Sequence, residues 1–229
     1  LREIRQAINH GFDRKKMMLY LRNSIGLAAE SGFIPAGLPS FNAEKVKGYS
    51  YDPDRSKELI RKAGFADGKD LPAITLLTIP IYADLASYIA RELVETGIIV
   101  KVEVVQKSLL LEQTAQGTAA FFRGSWIADY PDADNFMQLF YGKNINVTNN
   151  GCIKIPEFDR LYEQTQNMVP GPERDAIYRK MSRILEVYMP VQVIGARYRN
   201  ILAQPRVIGF KKHPILPAEW MYIDIDMKK

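Results

Sequence analysis

Ala73 to Val105 reads AITLLTIPIYADLASYIARELVETGIIVKVEVV, and this stretch decides the fold class. Ala73 to Ile79 is an apolar, partly β-branched run bounded by Pro72 and Pro80, the pattern of a short buried strand. From Tyr82 to Thr96, Leu85, Ile89 and Leu93 recur at helical spacing with Ala86 and Ala90 beside them, and Gly97 stops the run. Ile98 to Val105 then alternates, which predicts Val100, Val102 and Val104 on one face and Lys101 and Glu103 on the other. Strand, helix and strand at this spacing predict a parallel pair joined by a right-handed crossover, so the chain is α/β.

Upstream, Asp52 is a candidate N-cap with Pro53 at the first helical position, where the missing N–H costs nothing. Leu59, Ile60 and Ala63 make the buried stripe of that helix, and Gly64 in a left-handed C′ conformation would return Phe65 onto Ile60. Residues 32–48, rich in Pro, Gly and small side chains, read as a boundary or crossing segment. Ahead of them, Leu1, Ile4 and Ile8 predict one helical face and Asp13 caps a second helix carrying Met17 and Leu21. The sequence opens in mid-pattern without Met, which reads as a piece of something longer.

Downstream, a short helix is expected around Ser108 to Gln116 and a strand from Thr118 to Arg123. After Phe122 to Phe136 (FRGSWIADYPDADNF) and a polar loop through Asn149 and Gly151, two amphipathic helices follow. Glu157 to Met168 uses Phe158, Leu161 and Tyr162, and Pro172 to Tyr188 aligns Ile177, Met181, Ile184, Leu185 and Tyr188. Val191 to Ala196 and Asn200 to Ala203 read as short strands ahead of a proline-rich tail.

The 229 residues are 47% hydrophobic and 25% charged, ordinary for a globular chain with a real core. No apolar run approaches the roughly 20 residues of a membrane helix. The net charge of +5 is interspersed, and the densest basic groups, Arg14 to Lys16 and Lys211-Lys212, are too short to track a phosphate backbone, so no nucleic-acid partner is expected. The single cysteine, Cys152, excludes an internal disulfide and any cysteine-based metal cluster. Its solitude fits a reducing compartment or an exported bacterial protein equally.

Phosphate-loop, dinucleotide, zinc-protease and nucleophile-elbow signatures are absent from the sequence. His10 and His213 lie at opposite ends, so no metal site and no cofactor is expected. Asp129, Asp132 and Asp134 form the densest acidic cluster. Such a cluster could serve a carboxylate-based hydrolase; the simpler reading gives Asp132 or Asp134 the start of the helix carrying Phe136 and Phe140. Asp129 differs, because it sits between Trp126 and Tyr130 just past a predicted strand. A carboxylate flanked by aromatics at a strand's carboxyl end suits recognition of a cation.

Several blocks of this chain, in order, resemble one family. They are Ile4 to Asn9 with Asp13-Arg14, Gly32-Phe-Ile-Pro-Ala-Gly37, Tyr51-Asp-Pro with Leu59 to Phe65, Ser125 to Asp132 with Asn135-Phe136, and Pro156 to Asp159. Together they look like the extracytoplasmic solute-binding proteins of peptide and nickel ABC importers, the dipeptide- and oligopeptide-binding branch. The resemblance covers essentially the whole chain and implies no enzyme activity. It implies a periplasmic-binding-protein type II-like lobe, with a mixed, partly parallel sheet flanked by helices, plus remnants of the other lobe. The implied division is 1–33 as a helical remnant of the first lobe, 34–195 as the second, ligand-binding lobe, and 196–229 as a return toward the first.

The implied function is to bind short peptides in an interlobe cleft and deliver them to permease subunits. The location would be extracytoplasmic, with membrane association only through the permease or a lipid anchor outside this sequence. A non-peptide cargo such as a metal chelate, haem or an oligosaccharide is the alternative. Residue by residue, Asp129 falls on the position that accepts a peptide α-ammonium, Trp126 on the aromatic beside it, and Arg123 on an arginine that can meet a peptide carboxylate. Tyr130 joins them as a candidate contact. Arg123 pairing with a neighbouring acid and Trp126 packing in the core are the competing readings. Dipeptide-binding relatives carry an arginine in the loop after the first strand of the βαβ unit. Here that loop, Thr78 to Asp84, has none, which argues against a strict dipeptide binder.

Overall fold

The computed structural model describes residues 1–198, 200–212 and 219–227. The helices α1 (Arg2–His10) and α2 (Arg14–Leu21) come first, followed by β1 (Leu27–Ala28) and α3 (Pro53–Lys62). The βαβ unit is β2 (Ile74–Thr78), α4 (Ala83–Val94) and β3 (Val100–Val104). Next are α5 (Lys107–Ala115), α6 (Asp134–Met137), α7 (Pro156–Thr165) and α8 (Pro172–Tyr188). The short strands β4 (Gly195–Ala196), β5 (Val207–Ile208) and β6 (Asp224–Ile225) end the order.

The predicted parallel pair is present, with β2 and β3 in register from Ile74 opposite Val100 to Thr78 opposite Val104. The strand expected over Thr118 to Arg123 is reduced to one parallel bridge, Leu77 opposite Phe122. Leu77 N–H donates to the Phe121 carbonyl at 3.0 Å and Arg123 N–H to the Leu77 carbonyl at 2.9 Å, so the segment still borders β2. The antiparallel pairs β1–β4 and β5–β6 stand apart as two-residue ladders. Asn200 to Ala203 forms no strand.

Local rules account for the helix ends. Asp52 accepts the Arg55 N–H at 2.9 Å and Asp13 the Lys16 N–H at 3.0 Å, both as N-caps. At the end of α3, Gly64 takes φ +95° while Phe65 N–H reaches the Ile60 carbonyl at 3.1 Å and Gly64 N–H the Arg61 carbonyl at 3.0 Å. That pair of bonds is a Schellman motif. The last carbonyls of α8 are capped from α1, where Arg5 donates to Tyr188 O at 2.9 Å and Gln6 to Val187 O at 2.8 Å.

Two cores result. The first joins Ile4, Ala7, Ile8 and Met17 to Leu59 and Ile60 of α3 and to Leu76, Ile89, Leu93 and Val100 of the βαβ unit. Residues 1–21 therefore bury their apolar face in the same body as the βαβ unit. The second core gathers Met137, Phe140, Phe158, Tyr162, Ile177, Tyr178, Met181 and Leu185 with Ile34. Residues 32–48 carry no helix or strand and run from one core to the other. A small third cluster of Leu77, Val105, Leu110 and Ala119 covers the opposite face of β2.

On their predicted faces Leu1, Val104 and Tyr188 are exposed, because each stands at one end of its pattern and extends past its neighbours' cover. His10 is half-buried, with its Nδ1 at 2.9 Å from the Ser50 carbonyl, and burial pulls its pKa down. His213 lies outside the described residues.

Candidate functional site

The site segment starts where Arg123 leaves β2 and ends where α6 begins. Between these anchors Asn135 holds the chain. It is fully buried, and its Oδ1 accepts the Trp126 indole N–H at 2.7 Å and the Asp129 backbone N–H at 3.3 Å. Its Nδ2 donates to Asp129 Oδ2 at 3.3 Å. One amide thus orients both the indole and the carboxylate. Sequence reasoning quoted Asn135 only within a motif and assigned it no role; its signal would have been an asparagine directly ahead of the apolar pair Phe136-Met137 at the start of a buried helix.

Asp129 is exposed, and among the described residues its Oδ1 has no partner. Trp126 is half-buried, neither core nor free. Tyr130 donates to Asp134 Oδ2 at 2.5 Å, and burial followed by that carboxylate pushes its pKa up to about 12.

Asp132 and Asp134 have other duties. Asp132 Oδ1 accepts the Asp134 N–H at 2.8 Å, and its Oδ2 takes the Arg174 guanidinium at 2.6 Å. Asp134 Oδ1 accepts from Gln166 at 2.7 Å. Both carboxylates tie the start of α6 to α7 and α8, which leaves the hydrolase reading without a free acid–base pair. Among the described residues no group of three or more His, Cys, Asp or Glu could hold a metal ion.

Arg123 pairs with no acid among the described residues; instead its guanidinium lies over the Tyr82 ring at 3.5 Å from the centroid. Burial lowers its pKa most, with Arg197 and Arg22 acting in the same direction against Tyr82. Arg197, directly after β4, donates to the Tyr82 hydroxyl at 2.9 Å. In the same loop Asp84 is engaged by Arg22 through two bonds, at 2.7 and 3.1 Å. The loop that lacks an arginine of its own is therefore surrounded by three from elsewhere. Neither Tyr82 nor Arg197 carried a sequence signal, because their meeting depends on a contact 115 residues apart.

These oriented polar side chains lie beyond the carboxyl end of a parallel strand, the place where open α/β sheets generally bind their ligands. The class is that of the periplasmic binding proteins of type II. The DppA periplasmic binding protein of Helicobacter pylori, solved with the peptide STSA, superposes with a TM-score of 0.88 at 24% identity over 98% of this chain and 44% of that one.

The chain belongs to the family described as bacterial extracellular solute-binding proteins, family 5 Middle, which matches residues 2–147. Members of this family are binding proteins, not enzymes. Heme-binding protein A of Haemophilus influenzae is 24% identical over 99% of this chain and 42% of its own length. The dipeptide-binding protein of Pseudomonas aeruginosa is 24% identical over 93% of this chain and 40% of its own. The chain thus spans less than half the length of these relatives.

Proposed function

We propose that this chain supplies one lobe of an extracytoplasmic solute-binding protein that carries short peptides to the permease of an ABC importer, with Asp129 receiving the peptide α-ammonium. One observation carries the reading: an exposed carboxylate, oriented by a buried asparagine and flanked by Trp126 and Tyr130, keeps Oδ1 unpartnered among the described residues. An ammonium placed there gains a charge-assisted bond, and aromatic faces add cation–π attraction. Trp126, Tyr130 and Arg123 complete the contact set in this reading.

The lobe is best drawn from residue 1 through β4, since α1 and α2 share the first core. Residues 197–229 form the return toward a second lobe. In support, the chain exposes 14072 Å², about a third more than the roughly 10,600 Å² of a compact monomer of its mass. Leu202, Met221, Tyr222 and Met227 are all more than 70% exposed. A second lobe closing over the site would cover such a surface. Tethering by a lipid or by the permease belongs to the same reading.

Asp129→Ala in the protein at full natural length is expected to weaken peptide binding about thirtyfold or more by calorimetry. Unchanged affinity would sink the anchor role. The chain alone should bind peptides weakly, and full-strength binding by it would refute the two-lobe reading. A haem or chelate co-purifying in native mass spectrometry would redirect the cargo assignment toward that of the Haemophilus relative.

A further inference from the structure

Where the two cores meet, the chain leaves a space. A cavity of about 40 Å³ lies between the start of α2, the stretch after β1, Tyr49 and the last turns of α8, with Phe33 and Phe140 on its apolar side. That volume takes about three water-sized particles and no peptide. Arg14, Glu30 and Glu186 are its charged lining. Arg14 is only 4% exposed, and its guanidinium has neither a hydrogen bond nor an ion pair among the described residues.

The acids nearest Arg14 are engaged elsewhere. Lys15 holds the Glu30 carboxylate at 2.9 Å, and the Asp13 carboxylate caps the Lys16 N–H at 3.0 Å. Both favour the charge of Arg14 from a distance, yet burial outweighs them and pulls its pKa down. Glu186 feels Arg183 and not Arg14, so the cavity keeps those two apart. Asn9 and Ser182, also in the lining, donate to the Arg5 and Tyr178 carbonyls, each at 2.9 Å. Arg14 is therefore the donor group of this cavity that has nothing to bind.

A guanidinium offers five N–H donors, accepts nothing and stays charged at any ordinary pH. Water in the cavity would satisfy those donors but leave a buried charge uncompensated; a small anion does both. Size narrows the choice, because a halide ion is little larger than a water molecule, whereas a phosphate or an amino acid is much larger. We propose that this cavity is a halide site, with Arg14 as the cation that holds the ion at the junction of the two cores. The site shares no residue with the segment around Asp129 and stands apart from the peptide reading.

Glu186 sets the pH range of binding. Around it are Arg183 on its own helix, Arg5 of α1 at the same helix end, and Tyr49, whose hydroxyl donates to the Glu186 carbonyl at 2.7 Å with His10 edge-on to its ring. Arg14 and Glu30 line the same cavity. A protonated Glu186 leaves the positive charge of Arg14 to the ion, and an ionised one repels the ion. Burial lifts the Glu186 pKa to about 7, so the site should fill below that pH and empty above it.

The test titrates the full-length protein with sodium chloride, balanced by gluconate at constant ionic strength, and follows chloride NMR line broadening. Wild type should bind chloride at least about threefold more tightly at about pH 6 than at about pH 8. Glu186→Gln should keep the tighter affinity at both values, a result that titration of His10 would not produce. Arg14→Met should lose the saturable broadening, and Arg14→Lys should retain part of it. A second measurement needs no variant: wild-type crystals in sodium bromide at about pH 6 should show an anomalous scattering peak in the cavity beside Arg14. Water alone in the cavity of those crystals overturns the site, and so does saturable broadening that survives in folded Arg14→Met. Equal chloride affinity of wild type at the two pH values overturns the part given to Glu186.

Discussion

Replacing Asn135 by alanine removes three hydrogen bonds at once: the 2.7 Å bond from the Trp126 indole and the two 3.3 Å bonds with Asp129. The indole bond is short and part-buried, so its loss leaves a donor poorly served by water, at about 1–3 kcal/mol. The two longer bonds lie nearer solvent and together add about 1 kcal/mol. Asn135 is itself fully buried, and its truncation opens a small cavity in a polar surround. A total of about 2–4 kcal/mol follows, or roughly 5–12 °C in melting temperature for a chain of this size. Urea titration followed by circular dichroism checks the free energy, and indole fluorescence should shift to the red as Trp126 gains freedom. Asn135→Asp refines the test. It keeps an acceptor for the indole but sets a second carboxylate against Asp129, which raises the folded-state pKa of the pair. A raised carboxylate pKa gives stability that is present at low pH and lost as pH rises through it, so this variant should lie nearest wild type at about pH 4 and fall away toward pH 8. Wild-type stability for Asn135→Ala, or a pH trend of opposite sign for Asn135→Asp, would refute the role given to this amide.

Two further predictions concern the frame. Gly64→Ala meets open space but inherits φ +95°, so it should cost about 1–2 kcal/mol in chemical denaturation through backbone strain alone; Gly68→Ala, whose Cβ would collide with the Gly97 carbonyl, should cost more. Glu186 has a buried Oε1 without a partner among the described residues, and burial lifts its pKa to about 7. Its raised folded-state value means stability lost as pH rises from the ordinary carboxylate range through about 7, so Glu186→Gln should flatten the melting-temperature profile over that window.

What could be read from the residues was what depends on near neighbours. Asp52, Pro53 and Gly64 bound α3 through contacts within a few positions, and the apolar period of Leu85, Ile89 and Leu93 needs only a core to face. Val104 departs because alternation predicts a side and not whether anything covers it. Thr118 to Arg123 has strand-like composition, yet one bridge forms, since pairing needs a partner edge that the sequence does not specify. The site divided in the same way. Asp129 and Trp126 stood out as a charged residue beside aromatics, and Asp132 and Asp134 as a helix start. Asn135 stayed hidden because one buried amide looks like any other, and Arg197 because nothing near it in sequence points to Tyr82.

The β1–β4 ladder has a kinetic consequence. Its two residue pairs, Leu27 with Ala196 and Ala28 with Gly195, close a loop of about 170 residues, whereas β2 and β3 are separated by one helix. Loop-closure entropy grows with the logarithm of length, so contacts local in sequence form first and this seam closes late. Two ladder pairs give little to offset that entropy, which sets the seam among the first regions to open in the native state. The Ala29 amide, bonded to the Ile194 carbonyl at 3.1 Å, belongs with the fast-exchanging protons and not with those of the βαβ body. Arg197 stands at the end of this seam, so its 2.9 Å bond to the Tyr82 hydroxyl reaches from an early-opening join to the edge of the βαβ unit.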